Sequence, residues 1–287
     1  LAHIAVLLEE SVEALQVRRG GWYVDCTVGG GGHALAILER CAPEGRLLGI
    51  DADPQAIKVA AERLKHYEGS FILTLGNFRY LEDICHRFGF YPVDGILFDL
   101  GVSSLQLEDR SRGFSFKQDS PLDMRFDPSQ ELTADDVVNT YPEEELAAIL
   151  KRYGEERWSR HIARRIVESR RLSSTQELAR VVAQAAKARH RIHPATRTFQ
   201  ALRIAVNMEL ENLELALQQA FTLLRSCGRL VVISFHSLED RVVKWFFRSE
   251  AALKLVTKGV IKPSLAEVQR NPRGRSAKMR VAERITS

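Results

Sequence analysis

Residues 22–53, WYVDCTVGGGGHALAILERCAPEGRLLGIDAD, constrain this chain more than any other stretch. Residues 23–28 are β-branched and aromatic, a strand pattern. Gly29, Gly30, Gly31 and Gly32 follow, then a helix pattern over 33–40, then an apolar run at 47–50 that ends on Asp51. This order predicts a βαβ unit with glycines at its first turn and an acid closing its second strand. Glycine lets the backbone turn sharply and lets a ligand lie against it. Free N–H groups at the helix start face that ligand, and a carboxylate at the second strand's end can hold both hydroxyls of a ribose.

The unit therefore predicts a site for an adenosine-containing cofactor, and two cofactors compete. Gly29, Gly31 and Ala34 fit the dinucleotide fingerprint G-x-G-x-x-G/A, with Asp51 about 20 residues on. The same letters fit a methyltransferase pattern in which an acid precedes the glycines, here Asp25-x-Thr27-x-Gly29-x-Gly31. A purely structural glycine turn is the plain alternative. The choice has to come from the rest of the chain.

The remaining chain is ordinary in bulk and uneven in charge. Its 287 residues, 45% hydrophobic and 27% charged, suit a globular protein of one or two domains. No apolar run approaches the roughly 18 residues of a membrane helix. The first 15 residues carry acids and no basic n-region, which does not read as a secretory signal. Cys26, Cys41, Cys85 and Cys227 form no C-x-x-C pair, so neither a metal site nor a disulfide framework is expected, and the thiols suit a cytoplasmic protein. Residues 127–150 hold seven acids and no Lys or Arg. Residues 151–203 then hold 14 Lys/Arg against 4 Glu, and residues 270–284 hold six against one. Concentrated positive charge points to a polyanion, most simply nucleic acid. A solvated helical face with internal ion pairs would look the same.

Taken in order, helical spacing over 4–15 precedes the βαβ unit. Asp53-Pro54 then starts a helix, with Asp as N-cap and Pro at the first position. Residues 70–75 read as a strand, 80–88 as a short helix, and the nearly continuous apolar run 93–100 as a buried parallel strand. From 105 to 205 no strand pattern occurs. Residues 112–128 read as a loop, and 133–139, 142–153, 157–171 and 174–189 as helices, with Thr133 a cap and Pro142 a first helical residue. Alternation returns with an amphipathic helix through Leu210, Leu213, Leu217, Phe221 and Leu224, a turn at Ser226-Cys227-Gly228, a buried strand at 229–235, and a closing strand at 278–285. The expected fold is α/β, with a core of 1–104 and 206–287 interrupted by an all-helical insertion, 105–205.

Asp25, Asp51, Asn77, Asp99 and His236 all fall at or near strand C-termini, where open parallel sheets bind ligands. Asp99-Leu100-Gly101-Val102-Ser103-Ser104 follows the fourth strand. A carboxylate and hydroxyls there could accept the protons of an exocyclic amine, favour its nucleophilic geometry and align it with a sulfonium methyl. Asp99, Ser103 and Ser104 are thus the candidate catalytic residues; plain turn and backbone capping is the alternative. His33 could bond the cofactor or cap its helix. His236 could be a general base, a phosphate donor or a satisfied strand-end histidine. Glu239 and Asp240, with Arg241, read as a helix-start ion-pair set. Arg191, His193, Arg197 and Arg203, around Phe199, suit phosphate contacts with base stacking.

Together these residues resemble the bacterial 16S rRNA cytosine-N4 methyltransferases. The matches are His3 with Val6-Leu7-Leu8-Glu9, the segment from Asp25 to His33, Gly49-Ile50-Asp51-x-Asp53-Pro54, Asp94 to Leu97 with Asp99 to Ser104, and Arg112 to Phe116. They continue with Pro121 to Arg125, Tyr153 to Arg157, His193 to Gln200, Ser234 to Arg241 and Asn271-Pro272-Arg273. They span nearly the whole chain in order. The resemblance implies a class I, Rossmann-like methyltransferase sheet with a helical substrate-recognition domain. It implies S-adenosyl-L-methionine as cofactor and methylation of a cytosine N4 in the decoding region of 16S rRNA, within the small ribosomal subunit and away from membranes. It leaves room for a homodimer. By position it implies Gly31, Gly32, His33, Asp51, Phe78, Asp99 and Gln106 as cofactor contacts, beside the Asp25 and Gly29 of the glycine motif. Ala34 stands where the family usually has Ser or Thr, Ala5 and Leu105 where it often has Pro, and Gly274 where it often has Ala. The competing readings are an NAD-dependent oxidoreductase, a nucleic-acid-binding protein with a decayed cofactor site, and a DNA amino-methyltransferase.

Overall fold

A computed structural model of the chain describes residues 5–186 and 193–285. In chain order the first elements are α1 (Leu8–Ala14), β1 (Trp22–Asp25), α2 (Gly32–Cys41), β2 (Arg46–Asp51), α3 (Pro54–Leu64), β3 (Phe71–Leu75), α4 (Leu81–Phe88) and β4 (Val93–Asp99). Six helices follow: α5 (Ser104–Glu108), α6 (Ala134–Thr140), α7 (Glu143–Gly154), α8 (Ser159–Glu168), α9 (Thr175–Ala185) and α10 (Ala195–Asn207). The chain closes with α11 (Glu209–Leu223), β5 (Leu224–Ser234), α12 (Ser237–Ser249), β6 (Leu253–Leu255), α13 (Leu265–Arg270) and β7 (Lys278–Arg284). It divides into two compact units, Leu1–Gly101 with Leu210–Ser287, and Val102–Glu209.

The first unit is a seven-stranded sheet in the order β3-β2-β1-β4-β5-β7-β6. The five strands from β3 to β5 are parallel, and β7 runs antiparallel to both neighbours. Successive strand residues enter opposite layers, as a period of two requires. Leu48, Ile96 and Leu230 join the apolar layer formed with α4, α11 and α12. Leu47, Leu97 and Val231 join the layer formed with α1, α2 and α3. Both faces are covered, which explains why these strands read as unbroken apolar runs. After β1 the chain winds outward to β2 and β3; it then crosses to the other side of β1 and continues with β4 and β5. The β1/β4 boundary is the switch point outside which such sheets bind ligands.

Local chemistry sets the boundaries. Asp53 caps α3, its Oδ1 accepting the Gln55 N–H at 3.0 Å, with Pro54 in the first turn. The strand expected to begin at 229 begins at Leu224: pairing to β4 passes from Val93↔Leu224 to Gly95↔Arg229, and the expected turn residues bulge out between, with Cys227 at φ +63°.

The second unit packs Met124, Val137, Leu146, Leu150, Ile162, Leu178, Val182 and Leu202 into its own core. No strand occurs among its described residues, only an isolated bridge between Pro121 and Ser174. Thr133 caps α6 in a reciprocal box with Asp136. Pro142 is the N-cap of α7 instead of its first helical residue, because its ψ of 150° is still extended. The helix expected over 157–171 is trimmed to Ser159–Glu168, and the one expected over 174–189 ends at Ala185 within the described residues. The expected loop at 112–128 is firmly tied. Buried Arg112 donates to the carbonyls of Arg125 (2.8 Å) and Phe126 (2.9 Å), and Asn207 accepts the Phe126 N–H (2.7 Å) while donating to Met124 O (2.7 Å). No helix among the described residues is long and apolar enough to cross a membrane.

Gly113 shows how tight this loop is. It sits at φ +68°, and a Cβ there would lie 2.2 Å from Pro121 O. Gly69 has a similar φ of +88° with nothing within 4 Å. Both substitutions to alanine incur the left-handed penalty of roughly 1–2 kcal/mol. Gly69→Ala should stop there in chemical denaturation, whereas Gly113→Ala should lose clearly more stability because backbone must move.

Candidate functional site

The site is built at the C-terminal edge of the parallel strands. Gly29 lies at φ +49° and Gly31, the N-cap of α2, at φ +75°, with no side chain capping that helix. A Cβ on Gly31 would come 3.3 Å from Ala60 Cα, and one on Gly32 would come 3.0 Å from Ala5 Cβ, so close packing requires these two. Gly30 differs: its φ is ordinary and its nearest neighbours would be 3.9 Å away. Neither packing nor backbone conformation asks for glycine there, which suits a ligand lying against this turn. The uncapped N–H groups of α2 face the same way a bound anion or polar group would need.

Three carboxyl groups surround the turn. Asp51 accepts the Gly29 N–H on Oδ2 at 2.8 Å and the Asp53 N–H on Oδ1 at 2.9 Å. A carboxylate has about four acceptor positions, so capacity remains for hydroxyl donors. Burial pushes its pKa up to about 6 against those N–H donors. Asp25 ends β1, 1% exposed, with Oδ1 accepting the Thr27 N–H at 3.1 Å and Oδ2 buried without a partner. Burial, with the Asp51 charge adding to it, pushes Asp25 up to about 7. Asp99 ends β4, and its backbone N–H donates to Thr27 Oγ1 at 2.7 Å. Its Oδ1 is buried without a partner, and its pKa is driven well above the carboxylate range, first by burial and then by Asp25 and Glu239. Thr27 therefore joins the ends of β1 and β4; its place in the Asp25-x-Thr27-x-Gly29 motif was the only sequence signal for that role.

His33 lies inside this group, 4% exposed. Its Nε2 is 3.1 Å from Val6 O and its Nδ1 3.6 Å from Asp99 Oδ2. A carbonyl can only accept, so Nε2 carries the hydrogen, and Nδ1 is the nitrogen turned toward Asp99. The helix-cap alternative for His33 is corrected: the cap is Gly31, two residues earlier. Phe78, which follows β3, packs edge-on against Phe98, with centroids 5.6 Å apart, and is partly buried against the sheet's apolar layer.

His236 is the N-cap of α12, accepting the Glu239 N–H on Nδ1 at 3.3 Å, with Nε2 3.1 Å from Glu239 Oε1. Glu239, 2% exposed, accepts the Phe235 and His236 N–H groups at 2.8 and 3.2 Å. The ring of His236, expected to contact phosphate, caps α12 and lies against a buried carboxylate. Of the expected ion-pair set, Asp240 pairs with Lys278 at 3.1 Å and Arg280 at 2.7 Å.

In the helical unit, Ser103 caps α5. Its Oγ accepts the Gln106 N–H (3.2 Å) while Gln106 Oε1 accepts the Ser103 N–H (3.0 Å). The catalytic expectation for Ser103 and the cofactor expectation for Gln106 meet a different use here, a reciprocal helix cap, with Gln106 5% exposed. Ser104 is the first residue of α5 and is half-buried. Arg203, expected to contact RNA, has a largely buried guanidinium paired two-pronged with Glu209 at 2.7 and 2.8 Å. Arg197 stays substantially exposed, 4.0 Å from Glu156, and His193 is exposed with its ring 4.6 Å from that of Phe116. Arg191 lies outside the described residues.

The buried acids carry a signed consequence. A carboxyl whose pKa is raised on folding keeps its proton longer in the native state, so its stabilising contribution is complete below the unfolded value and is lost as pH rises through the folded one. For Asp25 that window runs from the usual carboxylate range to about 7. Asp25→Asn, which keeps the acceptor for Thr27, should be more stable than wild type at pH 8. The difference should shrink steadily toward pH 5 in urea titrations of the cofactor-free protein.

A family model described as the MraW methylase family matches residues 1–285. A protein named ribosomal RNA small subunit methyltransferase H from Dehalococcoides mccartyi is 56% identical, over 99% of this chain and 86% of that protein. One of the same name from Thermomicrobium roseum is 52% identical, over 99% of this chain and 94% of that protein. Among solved structures, a putative rRNA methylase from Clostridium thermocellum superposes with a TM-score of 0.50 at 14% identity, covering 99% of this chain and 100% of that one, a likeness of fold alone. With more than half of the residues shared along nearly its whole length, the chain belongs to the MraW methylase family.

Proposed function

We propose that the protein transfers a methyl group from S-adenosylmethionine to the exocyclic N4 amine of a cytosine in the decoding region of 16S rRNA. The methylase family and the rRNA small subunit names of its relatives support methyl transfer to this RNA over the NAD-dependent alternative. The observation that carries the reading is Asp99 Oδ1, a buried acceptor without a partner at the end of β4, beside the switch point and the glycine turn.

The donor set fits the cofactor. The Gly29–Gly32 turn and the N–H groups at the start of α2 border its amino-acid part, Asp51 has acceptor capacity for ribose hydroxyls, and Phe78 offers a face to adenine. Bound there, S-adenosylmethionine supplies an electrophilic methyl group on a sulfonium. Asp99 Oδ1 accepts one amine N–H, which draws the nitrogen lone pair out of ring conjugation and orients it. Burial makes the ionised Asp99 a stronger base than an exposed carboxylate, so the same oxygen can hold the proton that the amine sheds. Thr27, itself tied to Asp25, holds the Asp99 backbone N–H. Ser103 with Gln106 caps the helix that follows β4. The cytosine has to leave its stack to reach a buried acceptor. Arg197 and His193, beside Phe116, contact the RNA from the helical unit, and the Arg-rich helices make binding strongly salt-dependent.

Incubation with labelled cofactor and small ribosomal subunits lacking the modification tests the reading, with nucleosides mapped by mass spectrometry. Label should appear as N4-methylcytosine at one decoding-region site. Asp99→Ala should lower the methylation rate by about 10²–10³-fold, as loss of a preorganised acceptor does. Asp51→Asn should act mainly on affinity, weakening cofactor binding in calorimetry by about tenfold or more. Absence of label on both subunits and naked rRNA, with cofactor binding intact, would reject the substrate.

A further inference from the structure

α12 turns two different faces to its surroundings. Val243, Phe246 and Phe247 are buried in the sheet's apolar layer. Arg241, Lys244, Trp245 and Arg248 are all exposed, and Trp245 is 70% exposed. At 100° per residue these four fall within a stripe about 100° wide, opposite the buried one. Glu239 is buried against His236, and Asp240 is held by Lys278 and Arg280. Among the described residues Lys244 and Arg248 have no ion-pair partner.

A solvated basic face has no use for tryptophan. An indole brings a large apolar surface that normally goes into a core or an interface, and here it stands in water among cations. Cations with an exposed aromatic are the elements of single-strand binding, in which phosphates meet the charges and an unpaired base stacks on the ring. The position fits as well. Ile233 of β5 lies opposite Asp99 of β4, and α12 begins four residues later on the same edge of the sheet.

We propose that the outer face of α12 binds an unpaired stretch of the RNA that flanks the target nucleotide. Trp245 stacks on a base and Arg241, Lys244 and Arg248 contact phosphates. The inference rests on the reading of RNA as substrate and adds to it a second contact surface, on the sheet unit itself.

The full-length protein, titrated with a fluorescent unstructured RNA oligonucleotide and with a 16S rRNA fragment, provides the test. Trp245→Ala should weaken binding about tenfold or more, with Trp245→Phe recovering most of it. Lys244→Glu with Arg248→Glu should also weaken binding and lower the slope of log K against log salt by about 1.4, the value for two single-strand phosphate contacts. Melting temperature and cofactor binding should remain at wild-type values, since none of these side chains is buried. RNA affinity and salt slope unchanged in these variants, with wild type binding normally, would overturn the surface and leave the proposed function standing. Unchanged RNA affinity with a smaller sedimenting mass would overturn it too and make the face a contact between copies. If wild type binds no RNA at all, the proposed function fails first and this inference with it.

Discussion

Parallel pairing of β1 with β4 sets Val24 opposite Ile96 and Asp25 opposite Leu97, and the Cys26 N–H continues the ladder to Leu97 O at 2.9 Å. That register brings the ends of both strands to one edge, where Thr27 Oγ1 takes the Asp99 N–H. A one-residue slip would turn every side chain of β1 to the other face and separate these groups. Packing under the turn is also close, since a Cβ on Gly31 would lie 3.3 Å from Ala60 Cα where α2 meets α3.

The edge so formed is electrostatically costly. Asp25, Asp51 and Asp99 lie in low-dielectric surroundings, and Glu239 adds a fourth negative group near Asp99. A structure built only for stability would cover such acids with cations or replace them. Here backbone N–H groups and Thr27 satisfy part of their acceptor capacity, and one oxygen each on Asp25 and Asp99 is left over. Buried acceptors without partners, gathered at a switch point, are what a site looks like when its last hydrogen bonds are reserved for a ligand.

Charge was the least reliable guide to individual residues. The run of basic residues at 151–203 reads as one RNA-facing surface, yet the structure uses Arg170 and Arg203 of that run internally, as it does Arg112 and Arg125 before it. Arg112 and Arg170 hold backbone carbonyls, Arg125 pairs with Asp123, and Arg203 pairs with Glu209. A guanidinium that ties a loop and one that awaits a phosphate are the same letter in a sequence. The reverse also holds: the exposed stripe on α12 was hidden in a helix whose start drew attention to Glu239 and Asp240.

The sequence by itself determined the α/β alternation, the glycine turn, the caps at Asp53 and Thr133, and the strand ends that carry Asp25, Asp51 and Asp99. Each of these depends on near neighbours: the period of apolar residues, the φ freedom of glycine, a side chain reaching its own helix's first N–H groups. What the tertiary structure alone decided were the partners distant in sequence. It turned His33 toward Asp99, set Glu239 within electrostatic reach of Asp99, gave Ser103 and His236 to helix caps, paired Arg203 and left Trp245 in solvent. Burial and acceptor satisfaction are properties of the packed neighbourhood, and they become visible only when strands and helices far apart in the chain lie side by side.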